Sequence, residues 1–369
     1  MEFYKKELDA IKRAGRYRSR EVYDSSFLDL ASNDYLNLAE NKTIFKKAYE
    51  RVLCHDSHSP KSSMLVNGYH PIHKEFEEYV SELTGFDETI VVGSGFLANL
   101  SLIEALVRKG DILLLDEEFH ASGILASRLV KNTQYFKHDN PKELEKLLKS
   151  YHDKRVIVAV EGVYSMEGDV LNPKIVEICD KYNAIMIIDE AHSMGVLGDN
   201  LLGVYDYFGI KPKQNHIKMA TLGKASGSYG AYISASSHII SYLVNRAKPI
   251  IYSTAPSVFD IALAMESYKY IQENKTILRK KRDSLLEFAS KLFEINLNSL
   301  ILKIEIGDNK KVLDIQKRLK EQGIMIGAIR TPTVKSAILR VILRVGVDEE
   351  EMKKALEAIY AYTASLPHL

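Results

Sequence analysis

Between Pro71 and Ile233 the sequence alternates amphipathic segments of helix length with short, almost wholly apolar runs. This alternation limits the chain to a mostly parallel sheet covered by crossover helices. Phe76, Tyr79, Val80 and Leu83 recur at helical spacing and stop at Gly85, after which Thr89-Ile90-Val91-Val92 is a strand closed by Gly93-Ser94-Gly95. The cycle then repeats. Ile112 to Leu115 reads as a strand, Ala121 to Val130 as a helix, and Asn140-Pro141 as the cap and first residue of another. Arg155 to Val160 and Ala184 to Ile188 are further strands, separated by a helix that opens at Asn172-Pro173 and runs through Lys181.

The pattern changes near residue 259. Leu285, Phe288, Ala289 and Leu292 mark a long amphipathic helix, and Leu302, Ile304 and Ile306 alternate as a strand with one face on a core. A helix over Val312–Gln322, strands over Ile324–Ile329 and Ile338–Val345, and a helix from about Glu349 follow. The expected organisation is an N-terminal arm over 1–42, with a basic helix and an extended stretch around Leu28-Asp29-Leu30, a large α/β domain over 43–258, and a smaller α+β domain over 259–369. The basic run Arg279-Lys280-Lys281-Arg282 reads as a solvated helix face.

Composition excludes several classes of function. Lys and Arg number 50 against 49 Asp and Glu, so the chain presents no overall field to a nucleic-acid backbone or an anionic membrane. Cys54 and Cys179 lie far apart and outside any CxxC pattern, which leaves no disulfide framework or thiolate zinc site. The start, Met1-Glu2-Phe3-Tyr4-Lys5-Lys6, has no apolar leader, and no run approaches the roughly 20 apolar residues that span a bilayer. A cytoplasmic protein without a membrane partner is expected. Two His-x-x-His pairs, His55/His58 and His70/His73, have metal-ligand character, but no clustered carboxylate or thiolate completes a site, and none is assigned.

The residues with chemical capacity stand mainly after strands. Thr221-Leu222-Gly223-Lys224-Ala225-Ser226-Gly227 sets one lysine among small residues behind the strand-like His216–Ala220; a lysine shielded from water gives up its proton more readily and becomes a nucleophile. Asp189 ends an apolar run, at the carboxyl edge where open α/β sheets place their ligands, and His192 follows three residues on. That segment by itself is compatible with a metal pair, a helix cap, or an aspartate bonded to a protonated pyridine nitrogen. Gly93-Ser94-Gly95-Phe96 precedes a helix whose free N–H groups favour an anion such as phosphate. His120 opens another helix after Asp116-Glu117-Glu118-Phe119.

Taken in order, Gly93-Ser94-Gly95-Phe96, Phe119-His120-Ala121-Ser122, the block Val160–Asp169, Asp189-Glu190-Ala191-His192 and Thr221-Leu222-Gly223-Lys224 resemble the successive blocks of the α-oxoamine synthases. These are fold-type I pyridoxal 5'-phosphate enzymes that join an amino acid to an acyl thioester with loss of carbon dioxide. The resemblance runs from about Ser32 to Arg340. Within the family, Ser32-Asn33-Asp34-Tyr35-Leu36, Asn67-Gly68-Tyr69 and Ile251-Tyr252-Ser253-Thr254 are most similar to the branch that condenses L-alanine with a pimeloyl thioester in biotin synthesis. The segment Asp189–Gly195 fits equally the branch that uses serine and palmitoyl-CoA. An aminotransferase or an inactive partner subunit of the same fold are the other readings.

The resemblance implies a role for each residue. Lys224 is the lysine that links to the cofactor and later removes the Cα proton, Asp189 keeps the pyridine nitrogen protonated, and His120 stacks on the ring. His192 and Ser165 bond the ring's phenolic oxygen; Thr221 and the Gly95-Phe96 backbone hold the phosphate, which Thr254 reaches from the other subunit of a homodimer. Arg340 clamps the amino-acid carboxylate, with Arg18 and Asn33 as further substrate contacts. The acyl carrier is either coenzyme A or acyl carrier protein. Two departures from the family pattern stand out: His58-Ser59-Pro60-Lys61-Ser62-Ser63 replaces a glycine-rich stretch, and Val341-Ile342-Leu343-Arg344-Val345 replaces small residues and a histidine.

Overall fold

The computed structural model describes residues 2–23 and 25–364. Seven strands form the large sheet, in the order Glu88–Val92, Ala231–Ala235, His216–Thr221, Ile185–Asp189, Val156–Glu161, Ile112–Asp116 and Thr133–Phe136. All neighbours are parallel except that Ala231–Ala235 runs antiparallel to the strand on either side. The central strands Val156–Glu161 and Ile112–Asp116 are buried at every position, as their unbroken apolar runs require. Helices on both faces cover the sheet, and their ends follow local chemistry. Asn140 and Asn172 accept backbone N–H groups ahead of Pro141 and Pro173, while Gly85 stops its helix in the left-handed conformation, φ 76°.

Three expectations need correction here. The helix from Ala121 ends at Ser127, short of Val130, because the chain turns there into the edge strand Thr133–Phe136. That strand shows no apolar run, since of its four residues only Phe136 is buried. The strand expected over Ile338–Val345 covers Ala337–Ile342. Leu343 N still bonds Leu300 O at 2.9 Å, the next position in register, but by Val345 the backbone has turned to the arm, with Val345 N bonding Tyr35 O at 2.8 Å. The basic run is also not simply a solvated face. Arg282 donates to Val196 O at 2.7 Å and Arg279 pairs with Asp199 at 2.7 Å, so both tie the long helix Val258–Phe293 to the loop after His192.

A second sheet, in the order Leu28–Leu30, Ile324–Ile329, Ala337–Ile342, Ile301–Gly307, recruits its first strand from the N-terminal arm. Leu28 to Leu30 pair in parallel with Ile324 to Ile326. Arg344 locks the segment that follows. Its buried guanidinium donates to Asp34 O at 3.0 Å, Asp29 O at 3.1 Å and Asp34 Oδ2 at 3.0 Å, and also bonds Asn37. The side chain that departs from the family pattern therefore fixes the stretch carrying Asn33 and Tyr35.

Candidate active site

The carboxyl ends of the parallel strands share one edge, where Glu161 lies in register with Asp189 and Asp189 with Met219, two residues before Thr221. Asp189 is buried there. Its Oδ2 accepts from Asn99 Nδ2 at 2.8 Å and its Oδ1 from Ala191 N at 2.9 Å. Asn99 also donates to Ser122 Oγ at 2.9 Å, and that hydroxyl lies 2.7 Å from His120 Nδ1. A hydrogen-bonded row thus leads from Asp189 to His120.

His192 faces Lys224, with Nε2 2.7 Å from Nζ, while its Nδ1 lies 2.6 Å from the Tyr35 hydroxyl. Burial, then the charges of Lys224 and Arg340, hold the His192 pKa well below its usual value, so the ring is neutral. With Nε2 accepting from Lys224, its one proton sits on Nδ1 and is donated to Tyr35. Burial also draws the Lys224 amine down to about 8, against the opposing attraction of Asp189 and Glu161. An amine near 8 is still mostly protonated at pH 7, but its neutral fraction, roughly a tenth, is a few hundred times that of an ordinary lysine, and this is the form a base or nucleophile needs.

Arg340 is buried, donating from Nε to Ser165 O at 2.7 Å and from Nη2 to Asn33 Oδ1 at 2.9 Å, which fixes the plane of its guanidinium. Ser165 is held in turn, its N–H donating to Glu161 Oε2 at 3.2 Å. The loop around it is clamped by His138, which sits 3.1 Å from Asp116 Oδ1 and 2.7 Å from Asp169 Oδ2, and by the Tyr164 hydroxyl on Asp116 at 2.9 Å. Burial opposes a charge on His138, but the hydrogen bonds to both carboxylates prevail and raise its pKa to about 10.

At the start of the helix Gly95–Leu106, Ser94 caps Leu97 N, leaving the Gly95 and Phe96 N–H groups without intrahelical acceptors. A Cβ on Gly95 would stand 3.8 Å from Thr221 Cβ, so this helix end and Thr221 adjoin. Lys224, Asp189, His192, His120, Ser165, Thr221, Gly95 and Arg340 thus belong to one strand-end region. Arg18 is placed elsewhere, with a 3.5 Å contact to Thr333 as its one polar side-chain partner among the described residues. Thr254 is exposed and has no bond to the group. The paired histidines serve the fold: His70 Nε2 bonds Ser57 O at 3.0 Å and His73 Nε2 bonds Pro256 O at 2.9 Å. Among the described residues no cluster of His, Cys, Asp or Glu is placed to hold a metal, and no helix is long and apolar enough to cross a membrane.

Four site residues carry no role in the sequence reading: Tyr35, Asn99, Ser122 and Glu161. Asn99 had a signal, as a polar residue within the apolar helix behind Gly95-Phe96. Glu161 is buried, and burial followed by repulsion from Asp189 pushes its carboxyl well above the usual range.

The class I and II aminotransferase model matches residues 25–359. A Helicobacter pylori (strain J99) 8-amino-7-oxononanoate synthase is 39% identical over 363 residues, covering 98% of this chain and 97% of the relative. The crystal structure of the Francisella tularensis 8-amino-7-oxononanoate synthase superposes with a TM-score of 0.76 at 27% identity, covering 92% of this chain and 98% of that one. A serine palmitoyltransferase from S. paucimobilis gives 0.87 at 21% identity, covering 99% and 97%, a likeness of fold. The chain therefore belongs to the class I and II aminotransferase family of pyridoxal-phosphate enzymes, and within it to the 8-amino-7-oxononanoate synthases.

The residues present fit that cofactor. Two polar atoms, Asn99 Oδ1 and Glu161 Oε1, are buried beside Asp189 without a partner among the described residues, an arrangement that favours a polar group brought from outside. The amine of Lys224, the carboxylate of Asp189 and the free helix N–H groups supply the nucleophile, the anion and the phosphate donors that pyridoxal phosphate requires.

Proposed function

We propose that this protein condenses L-alanine with a pimeloyl thioester to give 8-amino-7-oxononanoate, carbon dioxide and the free thiol carrier, working in the cytoplasm as a homodimer. The observation that carries the chemistry is the meeting of Lys224, whose amine burial has drawn down to about 8, with a guanidinium, Arg340, held in a fixed plane. The specificity for these substrates rests on relatives at 39–40% identity that bear that activity in their names.

Arg340 receives the alanine carboxylate in two parallel hydrogen bonds, a geometry that lysine does not offer. Asn33 and Ser165 keep it aimed. Lys224 takes the Cα proton, and His192, braced by Tyr35, holds the amine in place beforehand. When bound, the cofactor supplies an electron-accepting ring for the charge left behind. Asp189, oriented by Asn99 and Ala191, holds the proton on the ring nitrogen, since a carboxylate at hydrogen-bond distance favours the cationic form. With the cofactor bound, His120 would cover one ring face, Ser165 and, in the tautomer whose Nδ1 accepts from Tyr35, His192 would donate to the phenolic oxygen, and Thr221 with the Gly95 and Phe96 N–H groups would cradle the phosphate.

The dimer rests on Thr254 and on the apolar surface around it. Val66 and Tyr252 are 77% and 80% exposed on adjoining segments, which are tied together by Ser63 Oγ to Ile251 O at 2.8 Å and Ala255 N to Ser62 O at 3.0 Å. On this reading residues 1–42, 43–258 and 259–369 act as arm, cofactor domain and C-terminal domain. A competition assay decides the substrates, with alanine or serine offered against pimeloyl-CoA and palmitoyl-CoA. Alanine with pimeloyl-CoA should give the highest kcat/KM. A higher value for serine with palmitoyl-CoA overturns the assignment.

A further inference from the structure

A cavity of about 440 Å³ opens between the N-terminal arm and the turn after strand Ile324–Ile329. Its lining includes the guanidinium-bearing residues Arg16, Arg18 and Arg330, the hydroxyls of Thr331 and Thr333, and apolar Ile329, and among the described residues no carboxylate. The Arg16 side chain makes no hydrogen bond or ion pair among the described residues, Arg18 has its long contact to Thr333, and Arg330 donates to the Gly15 carbonyl. Three cations around one hollow repel each other in the absence of an anion, and arginine forks with hydroxyl donors suit the oxygens of a phosphate. The concentration of charge is local. The first 20 residues hold seven Lys and Arg against three Asp and Glu in a chain whose net charge is +1.

The cavity borders the active site by two routes. Ile329 lies two residues, roughly 7 Å at about 3.3 Å per residue, along its strand from Gly327, which pairs with Arg340. The turn from Arg330 also reaches the opposite wall, where Lys335 Nζ bonds Glu118 at 2.7 Å, two residues before His120. A molecule held in the cavity can thus extend towards Lys224.

We propose that this cavity binds the phosphate of a phosphorylated pantetheine thioester, the carrier end of the acyl donor, through Arg16, Arg18 and Arg330. The inference rests on the acyl-thioester reading above. It places Arg18 on the carrier side of the site, away from the amino-acid carboxylate that Arg340 receives. Coenzyme A and the prosthetic arm of acyl carrier protein share this phosphate.

The test uses the holoenzyme and its Arg16→Glu and Arg330→Ala variants, with pimeloyl-CoA, pimeloyl-acyl carrier protein and pimeloyl-pantetheine, which lacks the phosphate. KM for pimeloyl-CoA should rise by about tenfold or more in Arg16→Glu while kcat changes little, and the native preference for pimeloyl-CoA over pimeloyl-pantetheine should collapse. A KM rise shared by the CoA and carrier-protein substrates supports the common phosphate; a rise confined to one supports the site for that source. Titration calorimetry with free coenzyme A, which needs no acyl group, should show weaker binding by the variants and a flatter salt dependence. This measurement stands even if the pimeloyl assignment fails. The proposal is overturned if the native enzyme treats pimeloyl-CoA and pimeloyl-pantetheine alike, or if Arg16→Glu binds neither coenzyme A nor carrier protein more weakly. It is equally overturned if Arg16→Glu lowers thioester-independent alanine Cα–H exchange as much as turnover, which would make the arginine a fold element.

Discussion

Replacing Lys224 by methionine should make the cofactor-free protein more stable at neutral pH. The lysine amine is drawn from 10.5 down to about 8 by burial. The unfolded chain therefore binds more protons than the folded one between those values, and native stability rises with pH across that window. At about 1.4 kcal/mol per pH unit, holding the charged amine in the fold costs roughly 3 kcal/mol at pH 7. Methionine has nearly the same length and carries no charge, so it escapes this penalty but loses the hydrogen bond to His192, worth about 1 kcal/mol. The net gain expected at pH 7 is about 2 kcal/mol, and at pH 9.5 the advantage should have shrunk by about that amount. Urea unfolding of the dialysed native and variant proteins at the two pH values measures both numbers, and the difference between them cancels every other titrating group. If the variant is no more stable at pH 7, or if the difference is independent of pH, Lys224 is not held against its charge and the argument for its eased deprotonation fails.

Asp189→Asn should leave the protein folded while slowing alanine Cα–H exchange into deuterated water by about 100-fold or more, because an amide does not stabilise the cationic ring nitrogen; near-native exchange would assign the carboxylate another task. Arg344→Met should lower stability by about 3–5 kcal/mol in urea unfolding, since the Asp34 carboxylate is left buried without its cation. An unchanged unfolding midpoint would show that the arm is held without the clamp. His138→Gln tests the loop under Ser165. The folded pKa near 10 stands above the ordinary 6.5, so the native protein holds this stabilisation fully below about pH 6.5 and loses it as pH rises through 10. The variant should be less stable than native at pH 7, with a deficit that narrows by pH 9; a constant deficit would refute a charged His138.

The periodicity of the sequence determined the large sheet. An unbroken apolar run such as Val156–Val160 has no polar face to show to water, and the proline-capped helices between such runs leave parallel pairing as the way to bury it. The same local logic sets Asp189 and Lys224 at strand ends, because a residue's place in its own element depends on its neighbours in the chain. Contacts between distant segments obey no such rule. Nothing in the spacing of Asn99 pairs it with Asp189, ninety residues away, or that of Tyr35 with His192. The half-exposed strand Thr133–Phe136 exists because Ile112–Asp116 offers it an edge, and the run Arg279–Arg282 finds backbone acceptors only once the loop after His192 folds against it. Arg344, an odd residue in the linear pattern, becomes the tie of the arm by meeting Asp29, Asp34 and Asn37 across more than three hundred residues. Burial and charge at the site are decided at that level too, since the amine of Lys224 loses its water only when the strand ends, the arm and the C-terminal sheet close around it.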